Sequence, residues 1–261
     1  MMNQVKGAGV FIPPWSERFG KHLRVNLGSP PQMKCSWDCF YCPMKEQRSQ
    51  GKGWLPIETL QTDLERMLDS PSESLDSVLI VAAADPTLHP DFEKLIPLLT
   101  SLRSRRNMNW SIGCLINGSS LIDTKLQKPL SQVDELCIKL DCADPVLFNR
   151  INHPCASAGT LENHLDGIKK LKRFNLQTTV WRCPERPEFG NWTQENLEGL
   201  YRLYEQLKPQ NLYLTTLSQK KRAFEILPVN DSELGTFGLR VQELGIHVRV
   251  NHMFPGGVMS G

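Results

Sequence analysis

Apolar residues in this chain switch repeatedly between a period of two and a period of three to four, and that alternation limits the possible folds more than any single motif. Residues 23–27 alternate and read as a strand, and 57–68 place Leu60, Leu64 and Leu68 on one helical face. Residues 77–82 are almost wholly apolar, as a strand buried on both faces should be. A helical pattern follows over 92–102, interrupted by Pro97. Strands are predicted at 110–116, ended by Asn117-Gly118, and at 135–140, ended by Asp141. Then come a helix over 160–174, a strand at 177–181, a helix capped by Thr193 and running to 207, a strand at 211–216, a helix over 232–244 and a short strand at 246–250. Strand and helix alternate about six times, which argues an α/β fold with a parallel sheet and right-handed crossovers, either an open doubly wound sheet or a barrel. In both architectures the site lies at the C-terminal ends of the strands. There the sequence places a cysteine-bearing loop, Asp85, Asn117, Asp141, Arg182 and Thr216.

Composition narrows the class of function. With 40% hydrophobic and 22% charged residues, the chain of 261 residues is globular and long enough for a sizeable core. No apolar run has the length of a membrane span, so no membrane partner is expected. A net charge of +2 excludes a strongly basic nucleic-acid binder. The basic runs at 169–173 and 220–222 read as solvated faces, with an RNA contact as the other reading. The opening residues carry no signal-peptide core, so a cytoplasmic location is expected, where clustered cysteines bind metal or do chemistry rather than pair.

Among the 8 cysteines, Cys35, Cys39 and Cys42 fall within one eight-residue stretch. One loop can therefore wrap a compact metal centre. A [4Fe–4S] cube takes four thiolates, so three leave one iron open for another ligand, a mark of reactivity. A zinc site is the rival, but it needs a fourth ligand, and no second Cys-x-x-Cys or His pair stands ready. Buried structural thiols are the plain alternative. The remaining Cys114, Cys137, Cys142, Cys155 and Cys183 lack cluster spacing and read as small buried residues.

Cys-x3-Cys-x2-Cys with Tyr41 before the last cysteine, placed after the first strand of an alternating α/β chain, resembles the radical S-adenosylmethionine (radical SAM) superfamily. Arg18-Phe19-Gly20, Asn26-Leu27, Pro86-Thr87-Leu88-His89, Asn117-Gly118-Ser119, Leu140-Asp141 and Phe148-Asn149-Arg150-Ile151-Asn152 extend the likeness to the branch that includes wyosine-type tRNA-modifying enzymes. The resemblance implies a partial (β/α)6 barrel, open on one side, over residues 18–217, with a lead-in at 1–17 and an extension at 218–261. It implies a [4Fe–4S] cluster on Cys35, Cys39 and Cys42 and S-adenosylmethionine as cofactors. It also implies reductive cleavage to a 5′-deoxyadenosyl radical that abstracts hydrogen from a substrate, with reduced flavodoxin or ferredoxin as electron donor. The substrate, whether RNA, peptide or small molecule, is not specified, and no catalytic residue is singled out.

The resemblance also assigns cofactor-binding residues. Tyr41 would lie near the adenine, with simple loop packing as the alternative. Relatives carry Gly-Gly-Glu where this chain has Ala83-Ala84-Asp85, whose backbone would receive the methionine amino group. The added Cβ atoms are strained only if the backbone there has positive φ. Asp141 would contact the ribose. Lys139 shares its strand face by period two and would pair with Asp85, Asp141 or a cofactor carboxylate, or else reach solvent. Asn117 is either a cofactor contact or a turn residue. Arg182 would hold a carboxylate or make an exposed ion pair, and His89 would donate to substrate or sit satisfied in its loop. A non-catalytic iron–sulfur or cofactor-binding protein and a zinc-binding interaction module are the rival readings.

Overall fold

The apolar spacings settle into helices and strands close to where the sequence puts them. The structure is a computed structural model that describes residues 9–13, 16, 18–29, 35–42, 44, 53–69, 74–217, 219–220, 225–253 and 259–260. The lead-in and the basic pair Lys221-Arg222 lie largely or wholly outside that set. The chain divides into two compact units.

The first comprises Met1–Cys35, Met44–Ile116 and Asp123–Leu136. Strand β1 (Val10–Phe11) runs antiparallel to β2 (His22–Asn26), which pairs in parallel with β5 (Ser77–Val81), itself parallel to β6 (Ser111–Ile116). A small ladder joins β3 (Gly28–Ser29) to β4 (Gly53–Trp54). Helix α1 (Ile57–Asp69) buries Ile57, Leu60, Leu64 and Leu68, the stripe its fourfold spacing foretells. Helix α2 (Phe92–Arg105) continues through Pro97, which lies on its exposed side. Helix α3 (Thr124–Leu130) was not expected, because Pro129 breaks its pattern; Asp123 caps it by accepting from Lys125 N at 2.9 Å.

The second unit comprises Ser36–Pro43, Asn117–Ile122 and Cys137–Gly261. The last three residues of β7 (Glu135–Lys139) pair in parallel with β8 (Asn175–Val180), β8 with β9 (Asn211–Leu217), and β9 with β12 (His247–Met253). Two short strands, β10 (Gln219–Lys220) and β11 (Glu225–Ile226), make a separate antiparallel pair, and β13 (Met259–Ser260) closes antiparallel on β12. Helix α4 (Pro145–Ile151) begins on an Asp144 cap with proline in its first turn. Helix α5 (Leu161–Lys169) carries a reciprocal Thr160–Asn163 capping box and ends five residues short of expectation, since β8 begins at Asn175 opposite Cys137. Helix α6 (Gln194–Leu207) starts at Thr193 as predicted, and α7 (Asp231–Gln242) at Asn230.

The class is α/β with parallel main strands alternating with helices, the chain order of a partial (β/α)6 barrel. The basic run at 169–173 is mostly exposed, with Lys169 paired to Asp166 at 3.1 Å, so it is a solvated helix end. Among the described residues no helix is long and apolar enough to cross a membrane.

Candidate active site

The cysteine loop of the second unit is held by a short antiparallel ladder. Asp38 N donates to His153 O at 3.1 Å, Cys155 N to Ser36 O at 2.9 Å and Phe40 N to Ile151 O at 2.7 Å. Trp37 faces Pro154 in the middle of this ladder. That is the non-hydrogen-bonded position of an antiparallel pair, where a proline loses nothing by lacking an N–H. His153 adopts φ +44° beside it. Trp37 is 2% exposed and packs edge-on against Phe148 and His164, each with centroids 5.1 Å apart. Phe40 stacks on Phe189 at 4.7 Å. The segment 148–152, which the sequence offered only as a likeness, thus leads into the strip on which the loop docks.

Beyond Phe40 the chain turns, with Cys42 N donating to Cys39 O at 3.1 Å. Among the described residues no disulfide forms and all eight cysteines are thiols. Burial, with the Asp141 carboxylate second, pushes the Cys39 thiol up to about 12. A thiolate here therefore needs a compensating positive charge, which a bound iron would supply. The Asn152 side-chain amide donates to the Cys39 sulfur at 3.6 Å, the kind of bond that supports a cluster thiolate. No three His, Cys, Asp or Glu side chains of the described residues converge as a single-ion site would require. A cube is not a single ion, since its thiolates bind different irons. The donor set fits a [4Fe–4S] cluster.

Beneath the loop lies Asp141, whose side chain is fully buried. Four donors reach its carboxylate among the described residues. Oδ1 accepts from Lys139 Nζ at 2.9 Å and Thr179 N at 2.8 Å, and Oδ2 accepts from the Tyr41 hydroxyl and from Asn152 Nδ2 at 3.2 Å. A carboxylate has about four acceptor positions, so a ribose hydroxyl would have to displace one of these donors. Lys139 also donates to Thr179 Oγ1 at 2.6 Å and sits 5.2 Å from the centre of the Tyr41 ring. It faces inward and is paired, as the sequence allowed. Burial and then Asp141 push the Tyr41 phenol up, so it stays a hydrogen donor. Tyr41 also packs on Trp181 at 4.7 Å.

The Asp141 main chain is held as firmly. Asn191 Nδ2 and Asn196 Nδ2 donate to its carbonyl at 3.1 and 3.2 Å. Asn117 takes the turn role: its Oδ1 accepts from Ser119 N at 2.9 Å, while its Nδ2 donates to Ser36 Oγ of the cysteine loop at 2.8 Å. Gly118, at φ +88°, leaves room for His164, whose ring a Cβ would approach to 2.4 Å. Burial pushes the His164 imidazole down to about 4, against a 2.8 Å bond from its Nε2 to Lys139 O.

Other predicted residues are engaged elsewhere. The Arg182 guanidinium grips Glu233 with two bonds of 2.8 and 2.5 Å, which is the ion-pair alternative rather than a carboxylate-ligand site. In the first unit Asp85 caps the turn at Pro86–Leu88, accepting from Thr87 N at 2.9 Å and from the Thr87 hydroxyl. Only Asn107, His153 and Lys208 among described non-glycine residues have positive φ, so Ala83 and Ala84 carry no such strain. His89 is a satisfied loop histidine: Nε2 lies 2.9 Å from Leu55 O, and Nδ1 accepts from Asp91 N at 3.1 Å. Sequence reasoning named Asn152 only within a family-like segment, without a role, and missed Thr179, Asn191 and Asn196. Period two on β8 signals Thr179, whereas nothing local signals Asn191 or Asn196.

The chain is similar to several known proteins. The Radical SAM superfamily profile matches residues 29–182, more than half of the chain. A UPF0026 protein of Helicobacter pylori (strain ATCC 700392 / 26695) is 29% identical over 171 residues, covering 63% of this chain and 52% of its own, so the chain spans about half the length of that relative. A radical SAM methyltransferase from Sphaerobacter thermophilus shares the fold at TM-score 0.64 with 14% identity, over 93% of this chain and 68% of that one. TYW1 with a lysine-pyruvate adduct bound does so at 0.58 with 17% identity, over 87% and 75%. With its three-cysteine loop, its parallel α/β order and that profile match, the chain belongs to the radical SAM superfamily, whose members bind a [4Fe–4S] cluster and S-adenosylmethionine.

Proposed function

We propose that this radical SAM enzyme holds its cluster on Cys35, Cys39 and Cys42 and cleaves S-adenosylmethionine reductively to act on a substrate by hydrogen abstraction. Bound there, the cluster and cofactor would supply one-electron cleavage of a sulfonium to a 5′-deoxyadenosyl radical. The observation that carries the reading is the cysteine loop itself, laddered to 151–155 with a half-buried Cys39 whose sulfur accepts from Asn152. The chain's own groups then have distinct tasks. Trp37 and Phe40 close the loop against water by packing on Phe148, His164 and Phe189. Lys139 and Tyr41 hold the Asp141 side chain in place, and Asn117 fixes Ser36 at the start of the loop. The unstrained backbone at Ala83-Ala84-Asp85 offers carbonyls to the methionine amino group. Reduced flavodoxin or ferredoxin supplies the electron, in the cytoplasm, and the substrate is RNA, peptide or a small molecule.

Anaerobic reconstitution tests this. The protein should bind about four irons and four sulfides and release 5′-deoxyadenosine under dithionite. Cys39→Ala should lose most of the iron. Replacing Ala83 and Ala84 together by glycine should leave cofactor affinity intact. A fully loaded, reduced protein that releases no 5′-deoxyadenosine, even with cell extract as substrate source, would establish the non-catalytic reading. Zinc in place of iron and sulfide would establish the interaction module.

A further inference from the structure

We propose that Asn152 is a positioning residue that ties the cluster loop to the carboxylate beneath it and sets the reduction potential of the cluster, an inference that rests on the reading above. Asn152 is completely buried at the end of α4, where its own N–H is bonded to Phe148 O at 2.8 Å. Its side-chain amide has two hydrogens, and both acceptors in reach are anionic when the site is loaded. One is Cys39 Sγ at 3.6 Å and the other Asp141 Oδ2 at 3.2 Å. The orientation of the amide is fixed by its other end, where Cys142 Sγ donates to Oδ1 at 3.7 Å. A flipped amide would present oxygen to a carboxylate and to a thiolate, and neither can donate to it.

Position and chemistry therefore coincide. The residues on either side of Asn152 form the rungs of the ladder that holds the loop, since Ile151 O and His153 O accept from Phe40 and Asp38. The same stretch that sets the place of Cys39 supplies the N–H that touches its sulfur. An N–H donated to a cluster thiolate stabilises the more negative, reduced cluster and raises its potential. The bond to Asp141 keeps the amide turned toward the sulfur whether or not S-adenosylmethionine is present. Asn152 acts through Cys39 and needs no contact with substrate.

The experiment uses the full-length, anaerobically reconstituted protein without S-adenosylmethionine and reads the midpoint potential of the cluster by EPR-monitored titration. Asn152→Leu removes the donor at similar size, and Asn152→Ala removes the donor together with its bulk. Each should lower the equilibrium constant for one-electron reduction about tenfold, a shift of about 59 mV to more negative potential. Ile168→Ala leaves a cavity under α5 in the same unit without touching the cysteine loop. It should lower stability while leaving the reduction constant within twofold of the parent. If both Asn152 variants keep the parent's potential, or if Ile168→Ala moves it as far as they do, Asn152 is merely structural and the inference is overturned. A parent protein that holds no cluster overturns the functional reading and this inference together. A parent cluster with unmoved variants overturns this inference alone.

Discussion

Strands of the second unit bury polar rows beside apolar ones, where the middle rows of the first unit are apolar. In the first unit, register sets Leu23, Val78 and Ile112 in one row and Val25, Ile80 and Cys114 in the next, with Val25, Val78 and Ile112 entirely buried. In the second, one row reads Lys139, Gln177, Tyr213 and Arg249, and another pairs Thr179 with Thr215. Gln177, Thr179, Tyr213 and Thr215 are each no more than 4% exposed. Parallel strands covered on both faces are ordinarily apolar. A buried polar row must satisfy itself, and this one does, through Lys139 to Thr179 and through Thr215 to Thr179 Oγ1 at 2.9 Å and Thr178 O at 3.3 Å. Apolar rows stabilise by contact alone. The polar rows stabilise only as a set, which makes them costly to vary and suited to holding charged groups in fixed places.

That contrast can be broken most directly at Asp141. Asp141→Ala strands the Lys139 ammonium and should cost about 4 kcal/mol in urea unfolding. Ile80→Ala in the first unit should cost about 3 kcal/mol by leaving a cavity. The two differ in what rescues them. Adding Lys139→Met to Asp141→Ala should recover at least about 1 kcal/mol, because the orphaned charge goes too. Strict additivity there would erase the distinction between the units.

Acid titration sharpens the comparison. The folded His164 pKa, about 4, lies below the unfolded value of about 6.5. The unfolded chain therefore takes up the proton first. Stability is full above about pH 6.5 and falls by about 3 kcal/mol on the way down to about pH 4. Burial also pushes His22 of the first unit down. Unfolding measured between pH 7 and 5 should lose more of its slope in His164→Gln than in His22→Gln. Equal flattening would deny the second unit its special sensitivity.

Smaller effects follow. Thr215→Val keeps the shape but removes the donor to Thr179, and should cost about 1 kcal/mol by chemical denaturation. Gly235→Ala lies in α7 with nothing within 4 Å of the new Cβ, and should raise stability by about 0.7 kcal/mol.

Local physics explains what could be read ahead of the structure. Helix α1, the apolar strand β5 and the cap at Thr193 are written in short-range spacing, and Lys139 points inward by period two. The three cysteines announce themselves by proximity. Helix α4 could have been found, since Asp144-Pro145 is a cap followed by a first-turn proline. Other features depend on residues brought together from far along the chain. The Arg182–Glu233 pair, the two asparagines on the Asp141 carbonyl and the ladder between 36–40 and 151–155 have no neighbouring pattern to betray them. The Asp85 side chain has a task the motif did not announce: two residues on, Thr87 makes it a turn cap.

The ladder also fixes where the chain can change length. Side chains in a strand pair alternate between faces, so a slip of one residue turns every one of them over. An insertion between Ile151 and Cys155 would swing Asn152 away from Cys39 and bring Pro154 to a rung that needs its missing N–H. Inserted residues after Ala158, in the turn before Thr160, would leave every rung in place. Across an alignment of relatives, gaps should therefore collect after the docking strip and be absent within it, and the strip's length should be inherited together with the spacing of the cysteines.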